Sequence, residues 1–330
     1  METSKIPRLT ERLDAVNDVD AAVARAATLL RRGGVVAVPT ETVYGLAASA
    51  LNAAAVERVF EAKGRPSDNP LIVHVADIAD VAAIALPDAL SMKILEAFAP
   101  GPLTVVLPRL PGLPQIVTAG LETVAVRVPD HPVMRQLLRL AGPLAAPSAN
   151  RSGRPSPTTA EHVLHDLDGR IDAVLDAGAC SRGIESTVIR VDRGSVSLLR
   201  PGALDAALIE QLVGAPLRRA VDAEGGSPGM RHRHYAPSAP VVLCRSTVEL
   251  FEGMQHADRP FVLARPGVVL DVDHRPLTPH DLYAELRRAD ELGADKILVL
   301  CDDSVTGHEA LWNRLLKAAD TASEAQGDGT

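Results

Sequence analysis

Short apolar runs alternate with amphipathic stretches through the first two-thirds of this chain, and that alternation limits the fold more than any other feature. Residues 35–38, 71–75, 103–107, 124–128, 173–175, 187–191 and 196–199 read as buried strands. Between them, helical periodicity runs over residues 19–30, 53–63, 88–98, 133–140, 159–167 and 205–213. The punctuation agrees: Asp18 or Asp20 caps the first helix and Gly33-Gly34 stops it, while Asn52 and Gly64 bracket the second. Residues 143–146 lead into a loop. The pattern predicts a mixed α/β sheet with helices packed on it. The 330 residues include only four Phe, three Tyr and one Trp, so the core must be aliphatic.

Residues 214–238 break the rhythm with Pro, Gly and a basic cluster, the composition of a linker. The inner part, SPGMRHRHYAP, is odd for a tether, which needs neither Tyr nor paired His and Arg. A second pattern then begins: strands at 241–244, 261–264 and 296–300, and helices at 247–254, 281–292 and 309–319. This is a small three-layer α/β unit with a parallel sheet. It has no GxGxxG and no GxxxxGK[ST], so a Rossmann-like shape would not imply a bound dinucleotide. Three segments are expected: a domain over residues 1–222, a linker or lid over 223–238, and a domain over 239–330.

Charge and composition exclude several classes. The chain carries a net −8, of which residues 223–330 hold −6. Neither that balance nor the small aromatic stock suits a surface that grips and stacks nucleic acid. Cys180, Cys244 and Cys301 are far apart, with no CxxC, which points to free buried thiols in a reducing compartment. The polar start METSKIPRLTERLD has no signal-peptide pattern, and no run of about 18 apolar residues could cross a membrane. A cytoplasmic protein is expected.

Five segments look chemical. In PTETVYGLAA, residues 39–48, the hydroxyls of Thr40, Thr42 and Tyr44 follow a strand end, where small polar ligands bind. Alternatively Thr40 is the N-cap of an ordinary turn. In AKGRPSDNPLIVHV, residues 62–75, Lys63, Arg65 and Asn69 sit on a proline-bounded loop. Two cations and an amide suit a triphosphate, or the cations simply answer the helix dipole. His74 reads alone as a satisfied core histidine. In ETVAVRVPDH, residues 122–131, Arg127 lies inside an apolar strand. A buried Arg costs several kcal/mol unless paired, and its partner is an internal carboxylate or, as we favour, a ligand anion. APSANRSGRPSPT, residues 146–158, packs Ser148, Asn150, Arg151, Ser152 and Ser156 between prolines, a stiff loop rich in donors. GIESTVI, residues 183–189, opens a strand at Ser186 and Thr187. Arg200, before a Pro-Gly turn, either faces solvent or reaches a phosphate. No HExxH, paired-Cys or GxSxG signature accompanies these segments. Hydroxyls, amides and cations point to binding a nucleotide and a small carboxylate, with catalysis by positioning and charge stabilisation.

In this order, PTETVYGLA, KGRPSDNPLIVH, APSANRSGRPSPT, ESTVI and LLRPG resemble the catalytic-domain motifs of the threonylcarbamoyl-AMP synthase (YrdC-like) family. The K-x-R and S-x-N signatures appear as Lys63-x-Arg65 and Ser148-x-Asn150. SPGMRHRHYAP resembles the linker of the family's long, two-domain form, and residues 313–320, NRLLKAAD, its extra domain. The resemblance implies a YrdC-like twisted mixed sheet plus a small Rossmann-like C-terminal domain. It implies a nucleotidyltransferase that joins L-threonine, bicarbonate or carbon dioxide, and ATP into threonylcarbamoyl-AMP and pyrophosphate. The product feeds tRNA threonylcarbamoyladenosine synthesis through a separate transferase.

By the same resemblance, Thr42, His74, Arg127, Ser148 and Ser186 would bind L-threonine. Lys63, Arg65, Asn69, Thr123, Asn150, Ser156, Arg200 and Tyr235 would meet ATP, with Lys63 and Arg65 catalytic. Magnesium would be held mainly by ATP, without protein side-chain ligands. Neither strong direct nucleic-acid binding nor a membrane is expected. Two rivals stand beside this reading: an RNA-binding module, which the concave basic surface of YrdC-like folds invites, and a carbamoyltransferase using carbamoyl phosphate, which shares the need for an anion cradle.

Overall fold

A computed structural model describes residues 9–219 and 235–319. Within them, one compact unit spans residues 9–152, 157–181 and 185–219. The other spans 153–156, 182–184 and 235–319. Two short stretches from within the expected first domain thus cluster with the second unit, which nothing in their composition signals.

The first unit runs β1 (Glu11–Asp14), α1 (Val19–Arg31), β2 (Val36–Val38), β3 (Gly45–Ser49), α2 (Ala53–Lys63), β4 (Ile72–His74), α3 (Ala89–Phe98), β5 (Leu103–Pro108) and α4 (Gln115–Thr118). It continues with β6 (Thr123–Arg127), α5 (Pro132–Ala141), β7 (Leu144–Ala145), α6 (Ala160–Leu167), β8 (Ala173–Asp176), β9 (Thr187–Asp192), β10 (Ser195–Arg200), α7 (Ala206–Val213) and β11 (Arg218–Arg219). Among the described residues these strands form one mixed sheet in the order β1-β8-β2-β3-β7-β4-β6-β5-β9-β10-β11.

The helix starts follow local chemistry. The side chains of Asp18, Asn52, Asp88, Thr159 and Asp205 each accept a backbone N–H of the first turn they precede, which satisfies donors that have no partner inside the helix. Gly64 ends α2 at φ 64°, a left-handed turn that costs glycine little.

The core is aliphatic. On β2, Val36 and Val38 pack with Val23 and Leu30 of α1 and Met134 and Leu137 of α5. Ala37, on the other face, packs with Val59 of α2 and Val163 of α6. Burial on both faces explains why β2 reads as a continuous apolar run rather than an alternating one.

Sequence periodicity misses β1, β3, β7 and β11; residues 143–146, expected to lead into a loop, hold β7, a two-residue strand defined by its pairing with β3 and β4. Residues 45–49, GLAAS, carry little β preference. They are a strand because they pair antiparallel with β2 on one side and β7 on the other. β1 is a charged edge strand, and β11 is two exposed arginines.

The second unit contains β12 (Val241–Cys244), α8 (Thr247–Gln255), β13 (Pro260–Ala264), β14 (Arg275–Pro276), α9 (Leu282–Glu291), β15 (Lys296–Leu300), α10 (Asp303–Gly307) and α11 (Glu309–Ala319). Its sheet, ordered β12-β15-β13-β14, is parallel at every pairing. Cys244, Leu250, Val262 and Leu298 lie in its core. No described helix is long and apolar enough to cross a membrane.

All three cysteines are buried free thiols. Burial pushes Cys180 and Cys301 up to about 12 and Cys244 to about 11. A thiol-disulfide dye at pH 8 should therefore label the native protein slowly, and all three thiols quickly in denaturant. Rapid native labelling would contradict this burial.

Candidate active site

Three of the chemical segments converge on the end of α2. Lys63, its last residue, is buried. Its ammonium donates to the carbonyls of Ser148 and Asn150, at 2.6 Å for the latter. The Lys63 carbonyl accepts the Ser152 N–H at 2.9 Å. One cation thereby staples residues 148–152 to the helix. Ser148 also bridges to Gly45, and the Ala149 N–H donates to the Tyr44 carbonyl at 2.8 Å. Arg65 folds over its own loop, donating to the carbonyls of Asn69 and Pro70 at 3.3 Å each. The Asn150 amide donates to the Arg151 carbonyl at 2.8 Å.

Residues 39–48 are not a helix cap. Residues 39–44 connect antiparallel β2 and β3, and 45–48 belong to β3 itself, so the reading of Thr40 as an N-cap fails for want of a helix. The Thr40 hydroxyl donates to the Val43 carbonyl at 2.7 Å. Its only proton is then used, so the 2.8 Å bond between the Thr40 and Thr42 hydroxyls must be donated by Thr42. Thr42 in turn accepts from Arg127 Nη1 at 2.8 Å. The chain of donation runs from Arg127 through Thr42 and Thr40 to Val43, and it leaves Thr42 with a lone pair and no proton to offer.

Arg127 ends β6 and is 4% exposed. Its Nε donates to the Gly101 carbonyl at 3.4 Å, and its Nη2 lies 2.7 Å from Glu41 Oε1. An internal carboxylate therefore stands against this buried charge, on a residue that the motifs did not single out. Glu41 left one signal, an acidic residue between two threonines just past a strand end.

His74, on β4, lies in register with Arg127 on parallel β6, so the two side chains share a face of the sheet. Burial, reinforced by the Arg127 charge, lowers the imidazole to about 3. It is neutral, and among the described residues its Nδ1 has no hydrogen-bond partner.

Ser186 and Arg200 meet nearby. The Arg200 guanidinium donates to the Ser186 carbonyl at 2.9 and 3.2 Å and to its hydroxyl at 3.2 Å. The Ser186 hydroxyl also pairs with that of Thr104 at 2.7 Å. Arg200 is buried, which removes the solvent-facing alternative. The 101–102 turn links this pair to the previous group. Gly101 accepts from Arg127, and the Pro102 carbonyl accepts the Thr187 N–H at 2.9 Å.

Not every expected residue joins these groups. Thr123 opens β6 and Arg127 ends it, about 13 Å apart at the rise of a strand. Ser156 and Tyr235 belong to the second unit. Ser156 is fully buried there. Tyr235 stacks on Tyr283 with ring centroids 5.4 Å apart, and the Arg314 guanidinium lies 5.3 Å from its ring. The remainder of the segment expected to act as a lid, residues 223–234, lies outside the described residues.

Two family models match the chain in succession. The Sua5/YciO/YrdC model, described as telomere recombination, matches residues 28–202. The C-terminal domain of threonylcarbamoyl-AMP synthase matches residues 204–320. The chain is 43% identical to the threonylcarbamoyl-AMP synthase of Bacillus subtilis, over 93% of this chain and 95% of that protein. Identity to the Pyrococcus abyssi synthase is 41%, over 89% and 93%. The chain belongs to the threonylcarbamoyl-AMP synthase family. The crystal structure of P. abyssi Sua5 complexed with L-threonine matches with a TM-score of 0.84 at 37% identity, covering 94% of this chain and 97% of that one. Both units therefore have counterparts in a family member of the two-domain form.

Two predictions follow from the packing. Gly202 lies against the Ser186–Thr187 backbone, where a Cβ would sit 2.3 Å from the Ser186 carbonyl carbon. Gly202→Ala should cost ~1–3 kcal/mol by overpacking, read as a lower midpoint in urea unfolding, and an unchanged midpoint would refute the close approach. His74 is lowered in the folded chain, so the unfolded chain binds the extra proton below about pH 6.5. Stability should fall as pH drops from there toward about 3. His74→Gln should flatten that slope by up to about 1.4 kcal/mol per pH unit, and an unchanged slope would place His74 in contact with water.

Proposed function

We infer that this chain condenses L-threonine, bicarbonate or carbon dioxide, and ATP into threonylcarbamoyl-AMP and pyrophosphate, the activated intermediate for threonylcarbamoyladenosine in tRNA. One observation carries the reading. A relative complexed with L-threonine matches this chain over 94% of its length, and within that span a buried guanidinium, Arg127, sits among hydroxyls and a carboxylate.

In this reading Arg127 receives the threonine carboxylate, with Thr42, His74, Ser148 and Ser186 lining the amino-acid site. The amine, once neutral, captures carbon dioxide and releases a proton, which leaves a carbamate. A carbamate oxygen attacks the α-phosphorus of ATP in line, and pyrophosphate departs. Lys63 and Arg65 offset the charge that develops on the phosphates, with Asn69, Asn150 and Arg200 positioning the nucleotide.

Magnesium bound to ATP would neutralise phosphate charge. The chain's groups fit a metal that arrives with the nucleotide. Around Lys63 the segments offer cations and amides, groups that suit phosphate oxygens rather than a bare cation. A separate transferase would carry the threonylcarbamoyl group to tRNA, which suits a chain of net charge −8.

Pyrophosphate release tests the reading. It should require L-threonine and bicarbonate together, and Arg65→Ala should lower it by about 10²-fold, as loss of a ~3 kcal/mol transition-state contact would. Release without L-threonine would refute the reaction, and near wild-type release by the variant would refute the role of Arg65.

A further inference from the structure

Glu41 is buried, 5% exposed, at the centre of the amino-acid site. Oε1 approaches Arg127 Nη2 to 2.7 Å, yet among the described residues neither carboxylate oxygen has an aligned hydrogen bond, and Nη2 has none either. The two charges touch without an aligned N–H. A pair whose only task was to hold the fold would be expected to align its hydrogen bonds, because buried carboxylates are costly when their lone pairs stay unmatched.

The surroundings add acceptors rather than donors. Thr42, the next residue, has given its proton to Thr40 and keeps a lone pair. The Ser181 hydroxyl reaches only the Glu41 main-chain carbonyl, at 3.5 Å. Cys180 and His131 lie close enough to feel the Glu41 charge. His131 Nδ1 is itself buried without a partner among the described residues. Beside one guanidinium, then, stand two carboxylate oxygens and a hydroxyl lone pair to which no described residue donates an aligned hydrogen bond.

An amino acid is a zwitterion with the complementary pattern. Its carboxylate matches a guanidinium, and its ammonium needs acceptors. We propose that Glu41 is the receptor for the substrate's α-amino group, and that the Arg127–Glu41 contact is the empty-site form of a zwitterion receptor. Substrate entry opens that contact and replaces it with two, carboxylate to Arg127 and amine to Glu41. The interaction survives loss of the amine's proton, since a neutral amine still donates N–H to a carboxylate and keeps its lone pair for carbon dioxide. Glu41 thereby selects amino acids over hydroxy acids of the same shape. The inference rests on the reading of Arg127 as the carboxylate receptor.

Calorimetry on the full chain tests it with two ligands, L-threonine and 2,3-dihydroxybutanoate, which carries a hydroxyl in place of the amine. The wild-type protein should prefer L-threonine by roughly 30- to 100-fold, the range for a charge-assisted buried hydrogen bond. Glu41→Gln should lose most of that preference by binding L-threonine more weakly, with dihydroxybutanoate within about 3-fold of wild type. ATP binding should be unchanged, which shows that the variant is folded. A variant that keeps the preference, or weakens both ligands equally, overturns the proposal. If Glu41→Gln fails to fold, the wild-type pair decides, because equal affinity for the two ligands also overturns it. Failure of the wild-type protein to bind L-threonine at all would overturn the carboxylate-receptor reading, and this inference with it.

Discussion

The charge on Arg127 organises the proposed amino-acid site. A guanidinium this buried costs several kcal/mol unless each side of it is answered. The answers come from separate segments: Thr42 and Glu41 from the β2–β3 connection, and Gly101 from the turn before β5. The same turn, through Pro102, holds the strand that begins beyond Ser186. A single cation on β6 therefore fixes where two other motifs must lie. The cost is tolerable in a receptor, because a receptor needs its cation dry and pre-oriented before the anion arrives.

In the proposed reaction Lys63 would do the matching work for the phosphate side. Its ammonium is committed to the carbonyls of Ser148 and Asn150, which makes it a support for the donor-rich loop as well as a source of positive charge. Arg65, hydrogen-bonded to the carbonyls of its own loop, holds a planar fork on a stiff segment. Both cations sit where backbone geometry is already fixed, so little conformational entropy remains to be lost on binding.

Much of this was legible in the sequence because it depended on local patterns. The strand runs at residues 71–75 and 124–128 and the helix ending at Gly64 were plain from periodicity and capping. The motif strings marked the segments that converge around Lys63 and Arg127. What escaped was non-local. β3 is a strand only through its two neighbours, since GLAAS carries no strand signal. Glu41 looked like one acid among many, because a sequence does not show which carboxylate closes on a buried arginine across the fold. The inclusion of residues 153–156 and 182–184 in the second unit was invisible for the same reason. The hydroxyl chain from Arg127 to Val43 likewise exists only once the β2–β3 turn has formed.

The central claim is that Arg127 is kept buried and charged to receive a substrate carboxylate. Calorimetric affinities of the wild-type chain for L-threonine and L-threoninamide test it directly, because the amide keeps the amine and the side chain and removes only the negative charge. The account predicts that threoninamide binds about 100-fold more weakly, the scale of a lost buried charge pair. Equal affinity would contradict it and would leave Arg127 as a partner of Glu41 alone.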